Sequence, residues 1–191
     1  MASRREPSPS LRMRKIALVI CEGETEARYV NLLRSWFKSP IRIVSNIEGT
    51  KVSQSLIERR AKELKISSMD RVHTFLMYDM DVRAINERLL RCKAEMLLSN
   101  PCFELWLLLH AREQRSAIGT DALILELKKS AAVWKNYAKS LFTDTQKAFL
   151  RSKIDVAVSR AKGLRPLCNP STGIYKLVEM LKGDAHPLVS H

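Results

Sequence analysis

Ile16-Ala17-Leu18-Val19-Ile20-Cys21 runs straight into Glu22, and Val72-His73-Thr74-Phe75-Leu76-Met77-Tyr78 runs into Asp79-Met80-Asp81. Each apolar run has the length and composition of a buried strand, and each ends in carboxylates. In an open α/β sheet, ligands bind outside the carboxyl ends of the strands. Two such ends side by side would gather Glu22, Asp79 and Asp81 in one place. Carboxylates so crowded repel one another and lose hydration, so the pattern implies a divalent cation between them.

Outward from these runs, strand and helix periods alternate. The first strand covers about Lys15–Cys21. Gly23 then permits a turn, and Thr25 is the expected cap of a helix that runs to about Lys38, before Pro40. A second strand is predicted at Ile41–Ser45. Gly49-Thr50 opens a helix over about Val52–Ile66, and the third strand covers about Val72–Tyr78. Residues 84–95 read as a short helix and Glu95–Leu98 as a fourth strand. Pro101 suits the start of a helix over Phe103–Glu113. Beyond residue 120 the period is helical, over Asp121–Ser130 and Thr143–Lys162. Asn169-Pro170-Ser171-Thr172 is expected to open a last helix through Leu181. The prediction is an α/β fold: a small parallel sheet flanked by helices, with a helical C-terminal third. One domain is expected over residues 14–185, its sheet core at about 14–112 and its helical part at about 120–183. Residues 1–13, with Ser, Pro and Arg and no periodicity, read as a flexible basic arm.

Charge narrows the partners. The 191 residues carry 33 Lys and Arg against 20 Asp and Glu, a formal net charge of +13. Such an excess favours a polyanion, either nucleic acid or an acidic membrane surface. No apolar stretch reaches the roughly 18 residues of a membrane span, and no signal-peptide core follows the basic start. Cys21, Cys92, Cys102 and Cys168 form no C-x-x-C pair and read as reduced thiols, so a cytoplasmic location is expected. Arg59, Arg60, Lys62 and Lys65 share one face of the second helix. That face is either simply solvated or a track for phosphates.

The acids carry the chemistry. Asp79 and Asp81 are two residues apart, and in extended chain they point to the same side. They could touch one cation or two adjacent ones. Magnesium takes a few carboxylates while keeping waters and substrate phosphate oxygens, and Mn²⁺ is the alternative ion. Glu22 would complete the set as a ligand or as a general base. Glu24 and Glu26 suit the first turn of a helix, and Glu26 is the candidate further member. Glu104 stands among Phe103, Leu105, Trp106 and Leu107–Leu109, so it is expected to be buried with a partner, either an Arg or a metal. His110, six residues later and nearly opposite in helical phase, reads as structural or functional.

The segments CEGETE at 21–26, YDMD at 78–81, NPCFELWLLLH at 100–110 and NPSTGIYKLV at 169–178 together resemble the RloB-like family, over about residues 14–183. The resemblance implies a Toprim-type domain in which a strand-end Glu and a D-x-D pair bind magnesium. It also implies a nuclease effector of bacterial phage-defence (abortive-infection) loci, often encoded beside an RloA-like ABC-type ATPase. By position, Glu22, Asp79 and Asp81 match the family's metal-binding acids. Glu26 and Glu104 match further motif acids. Asn100, His110 and the Asn169–Thr172 turn match motif positions of unassigned role. Met80 and Val82 depart from the more polar neighbours expected around the acidic pair.

The expected activity is therefore magnesium-dependent phosphodiester hydrolysis of DNA or of RNA such as tRNA. Glu22, Asp79, Asp81 and Glu104 would be catalytic, and Arg59, Arg60, Lys62 and Lys65 would hold phosphates. Topoisomerase chemistry needs a tyrosine in a partner domain, and primase chemistry needs template-handling modules; neither is expected here. The competing hypothesis is a non-catalytic nucleic-acid-binding or regulatory subunit of a defence complex. A small-molecule phosphotransferase is disfavoured because no G-x-x-x-x-G-K-[ST] loop is present.

Overall fold

Lys15–Cys21 (β1) is buried on both faces, so alternation alone decides which layer each side chain enters. Ala17, Val19 and Cys21 join one core, while Ile16, Leu18 and Ile20 join the other. β1 pairs in parallel with Arg42–Ile47 (β2) on one side and Arg71–Met77 (β3) on the other, and β3 pairs with Glu95–Met96 (β4). The computed structural model, which describes residues 15–38, 41–67 and 70–185, is thus α/β with a parallel sheet of order β2-β1-β3-β4. The predicted arm at residues 1–13 and Pro40 lie outside the described residues.

Helices cover both faces, as buried parallel strands require. Gln54–Glu63 (α2) and Arg83–Leu89 (α3) pack on the Ile16 side. Glu24–Phe37 (α1) packs on the other side. So do Glu104–Ala111 (α4), Thr120–Ser130 (α5), Asp144–Lys162 (α6) and Tyr175–Ala185 (α7). The helical C-terminal part therefore shares one core with α1 and the sheet. α4 is buried all round, from Glu104 to His110, with Trp106 at its centre. No described helix is long and apolar enough to cross a membrane.

Several boundaries differ from the sequence reading, each for a local reason. Gly23, not Thr25, caps α1, and Thr25 lies inside the helix. Ser53 caps α2, its hydroxyl accepting from the Leu56 N–H at 3.2 Å. The helix expected over 84–95 stops at Leu89. Pro101 precedes α4 by three residues instead of starting it. Asn169–Thr172 does not open the last helix. Ser171–Thr172 (β6) pairs antiparallel with Ser99–Asn100 (β5), and α7 begins only at Tyr175. The Ser99 and Thr172 hydroxyls share a buried hydrogen bond of 2.9 Å in this small sheet. Gly173 is required by close approach, because an added Cβ would stand 2.8 Å from the Met96 carbonyl oxygen. The longest helix, α6, has the capping box that Thr143 and Gln146 suggest.

Candidate metal centre

Strand register brings the two acidic ends together. Cys21 is the neighbour of Met77 across the β1–β3 ladder, and the Glu22 N–H donates to the Met77 carbonyl at 3.0 Å. One residue on, the Asp79 N–H donates to Glu22 Oε2 at 3.0 Å. Glu22 and Asp79 thus sit on adjacent strands, as the two-run reading needs.

The chain then returns to the same point. Leu97 to Ser99 run along β3, with the Met80 N–H donating to the Ser99 carbonyl at 2.8 Å. The following turn carries Cys102, Phe103 and Glu104 back over Asp79. The Phe103 N–H donates to Asp79 Oδ1 at 2.7 Å. One ligand atom each from Asp79, Cys102 and Glu104 lies within 4.8 Å of the others. Glu26 and Glu104 both occupy first helical turns, of α1 and α4, where the helix dipoles favour anions.

The electrostatics record this crowding. Burial pushes the Asp79 carboxyl up to about 8, and the charges of Glu26, Glu104 and Glu22 add to it. Burial also raises Glu26, with Glu104 and Glu22 contributing, against partial relief from Lys139. Burial raises the Cys102 thiol, and Glu104 beside it raises it further. Four carboxylates from β1, α1, the end of β3 and α4 therefore form one interacting set.

A strap between the 3₁₀ turn Ala132–Trp134 and α6 closes over this set. The Tyr137 hydroxyl donates to Glu104 Oε1 at 3.1 Å, and Lys139 Nζ lies 3.6 Å from the same oxygen. The Ser140 N–H donates to Thr25 Oγ1 at 2.9 Å, tying the strap to α1. Burial opposes the Lys139 charge, but Glu104 and Asp79 outweigh it and raise its pKa. Sequence reasoning missed Tyr137, Lys139 and Cys102. Only Cys102 had a signal, its place two residues before Glu104.

Glu104 Oε2 is buried and has no hydrogen-bond partner. A bare carboxylate oxygen in the interior is costly unless a cation takes it. Apart from Cys102, the donors are oxygens of the kind that hard divalent cations take. The residues therefore fit a divalent ion.

Asp81 stands apart from the others. The chain bends at Met80, which breaks the extended geometry behind the same-side expectation, and Asp81 is exposed. Asp79 is the more buried residue of the pair.

A model of the RloB-like protein family matches residues 17–181. The chain belongs to the RloB-like family. No curated protein and no solved structure matches it.

In this RloB-like protein, the remaining motif residues make local hydrogen bonds. His110 lies near the far end of α4, about 9 Å along the axis from Glu104. Its Nδ1 pairs with the Trp106 carbonyl at 2.8 Å, and burial lowers its pKa to about 4, so it is neutral. Asn100 donates to the Leu167 carbonyl at 3.1 Å. Asn169 accepts from the Ile118 N–H at 3.0 Å and donates to the Ile118 carbonyl at 2.8 Å. These amides fasten the ends of the β5–β6 pair to neighbouring loops.

The basic face of α2 is partly neutralised. Arg60 pairs with Glu48 and Glu63, and Arg59 lies 3.9 Å from Glu63. Lys62 and Lys65 are exposed. Other exposed cations are Lys135 and Lys139 on the strap and Arg151 and Lys153 on α6.

Proposed function

We propose that this RloB-like protein is a magnesium-dependent nuclease that hydrolyses phosphodiester bonds of DNA or RNA. The observation that carries the reading is the convergence of Glu22, Glu26, Asp79 and Glu104 around a buried carboxylate oxygen with no partner. Asp79, Glu22 and Glu104 would hold Mg²⁺ or Mn²⁺, and Asp81 is exposed. A bound ion of this kind supplies Lewis-acid charge and makes a bound water more acidic. Glu26, raised by burial, is the candidate to accept a proton in the site. Lys139 brings a positive charge to the mouth of the site, where a phosphate would approach. The family resemblance supports the wider role: a cytoplasmic phage-defence effector of the Toprim type, working with an RloA-like ABC-type ATPase.

The test uses purified protein with Mg²⁺ or Mn²⁺ on DNA and on tRNA, beside Asp79→Ala and Asp81→Ala. Cleavage by the parent and none by Asp79→Ala is expected, with a smaller loss in Asp81→Ala because that residue is exposed. Equal cleavage by all three would sink the site assignment.

One observation favours a second reading, a non-catalytic binding or regulatory subunit. Tyr137 and Lys139 already give Glu104 a donor and a countercharge, which an acid cluster held without metal would need. Retained nucleic-acid binding with no metal-dependent cleavage of any substrate would select it.

A further inference from the structure

One of the innermost donors of the site, the Cys102 thiol, is not one that magnesium chemistry would choose. Asp79, Cys102 and Glu104 each place one ligand atom within 4.8 Å of the other two. Donors around one tetrahedral zinc-sized ion lie roughly 3.3–3.8 Å apart, so shifts of up to about 1 Å bring all three onto a single ion. Cys102 is 1% exposed and Glu104 is 1% exposed. Oε1 of Glu104 is taken by the Tyr137 hydroxyl, whereas Oε2 is buried without a partner. Cys102 is thus a thiol set between two carboxylates, one of which has a free oxygen.

Thiolate is a poor ligand for Mg²⁺ and a good one for borderline-soft ions. Three protein donors are also the number that zinc accepts when it keeps a position open for water. We propose that Asp79, Cys102 and Glu104 form a binding position for a thiophilic divalent cation of the zinc class. The inference rests on the metal-centre reading of these carboxylates, though not on hydrolysis. Binding forms one metal–sulfur bond and releases the Cys102 proton to solvent, with no change of oxidation state. Because Asp79 and Glu104 belong to this position and to the magnesium position, the two ions compete.

The deciding experiment loads the metal-free full chain with one equivalent of Zn²⁺ and measures zinc-edge X-ray absorption. One sulfur at about 2.3 Å together with oxygen ligands is expected. This measurement uses the parent chain, so a Cys102 variant that fails to fold does not shelter the proposal. Cadmium gives a second readout, the ultraviolet thiolate-to-metal absorption. It should saturate at one equivalent, persist in Cys168→Ser and vanish in Cys102→Ser. Cys168 is the exposed thiol and serves as the control. A zinc shell of oxygen and nitrogen alone overturns the proposal, as does a cadmium band that follows Cys168. Absence of cleavage with Mg²⁺ or Mn²⁺ would count against the nuclease reading and leave the sulfur shell untouched.

Discussion

The Asp79 N–H donates to Glu22 Oε2 at 3.0 Å, linking the ends of β1 and β3 through a side chain that is also a candidate metal ligand. The two duties can be separated. Glu22→Gln keeps an acceptor oxygen and removes the charge, whereas Glu22→Ala removes both. Urea unfolding should show little change for Glu22→Gln and a loss of about 1–2 kcal/mol for Glu22→Ala. Mn²⁺ affinity, read by calorimetry, should fall at least about tenfold in both. Full Mn²⁺ affinity in Glu22→Gln would leave Glu22 with the positioning role alone.

The pH dependence of stability follows from two groups of opposite sign. The Asp79 carboxyl rises from 3.8 to about 8 on folding, so its contribution is complete below about pH 4 and is lost as pH rises through 8. His110 falls from 6.5 to about 4 on folding, so its contribution is present above pH 6.5 and is lost as pH falls through 4. Between about pH 4 and 6.5 the two oppose each other, and above 6.5 His110 no longer offsets Asp79. The metal-free protein should therefore lose about 2 kcal/mol between pH 6.5 and 8. Asp79→Asn should abolish that fall, and saturating Mg²⁺ should offset it. Denaturant titrations at fixed pH steps measure this, and a flat profile in the parent would refute the assignment.

β1, α1, β3 and α6 were legible because burial imposes a period on long segments: two for the strands and about 3.6 for the helices. Glu22 and Asp79 were legible with them, since a charged residue directly after such a run is anomalous. β5 and β6 were not, because two-residue strands carry no period and Asn169–Thr172 resembles a helix start. Asp81 showed the opposite failure: the D-x-D spacing is visible, but the bend at Met80 that separates its two acids is not. Tyr137 and Lys139 sit in a loop, and only tertiary closure brings them to Glu104, 33 residues away for the tyrosine.

That closure makes Tyr137 a sensitive probe. Tyr137→Phe removes the donor to Glu104 Oε1 and leaves a buried carboxylate with less support. A loss of about 1–3 kcal/mol is expected for the metal-free protein. Excess Mn²⁺ should recover part of it, since a bound cation supplies the missing charge compensation. Thermal melts with and without Mn²⁺ measure both effects. A Tyr137→Phe protein as stable as the parent would show that the strap contributes nothing to the acid cluster.

Nucleic-acid contact should follow the strap more than α2. Arg60 spends its charge on Glu48 and Glu63, so Arg60→Ala should leave binding nearly unchanged. Lys135 and Lys139 are exposed, and Lys139 reaches the mouth of the acid cluster. Each phosphate contact contributes roughly 0.7–0.9 to the slope of log affinity against log salt. The double variant Lys135→Ala with Lys139→Ala should therefore lower that slope by about 1.5. Binding assays on DNA and tRNA over a range of salt concentrations, with Mg²⁺ replaced by Ca²⁺ to suppress cleavage, read the slope directly. A slope that falls in Arg60→Ala and not in the double variant would move the interface to α2.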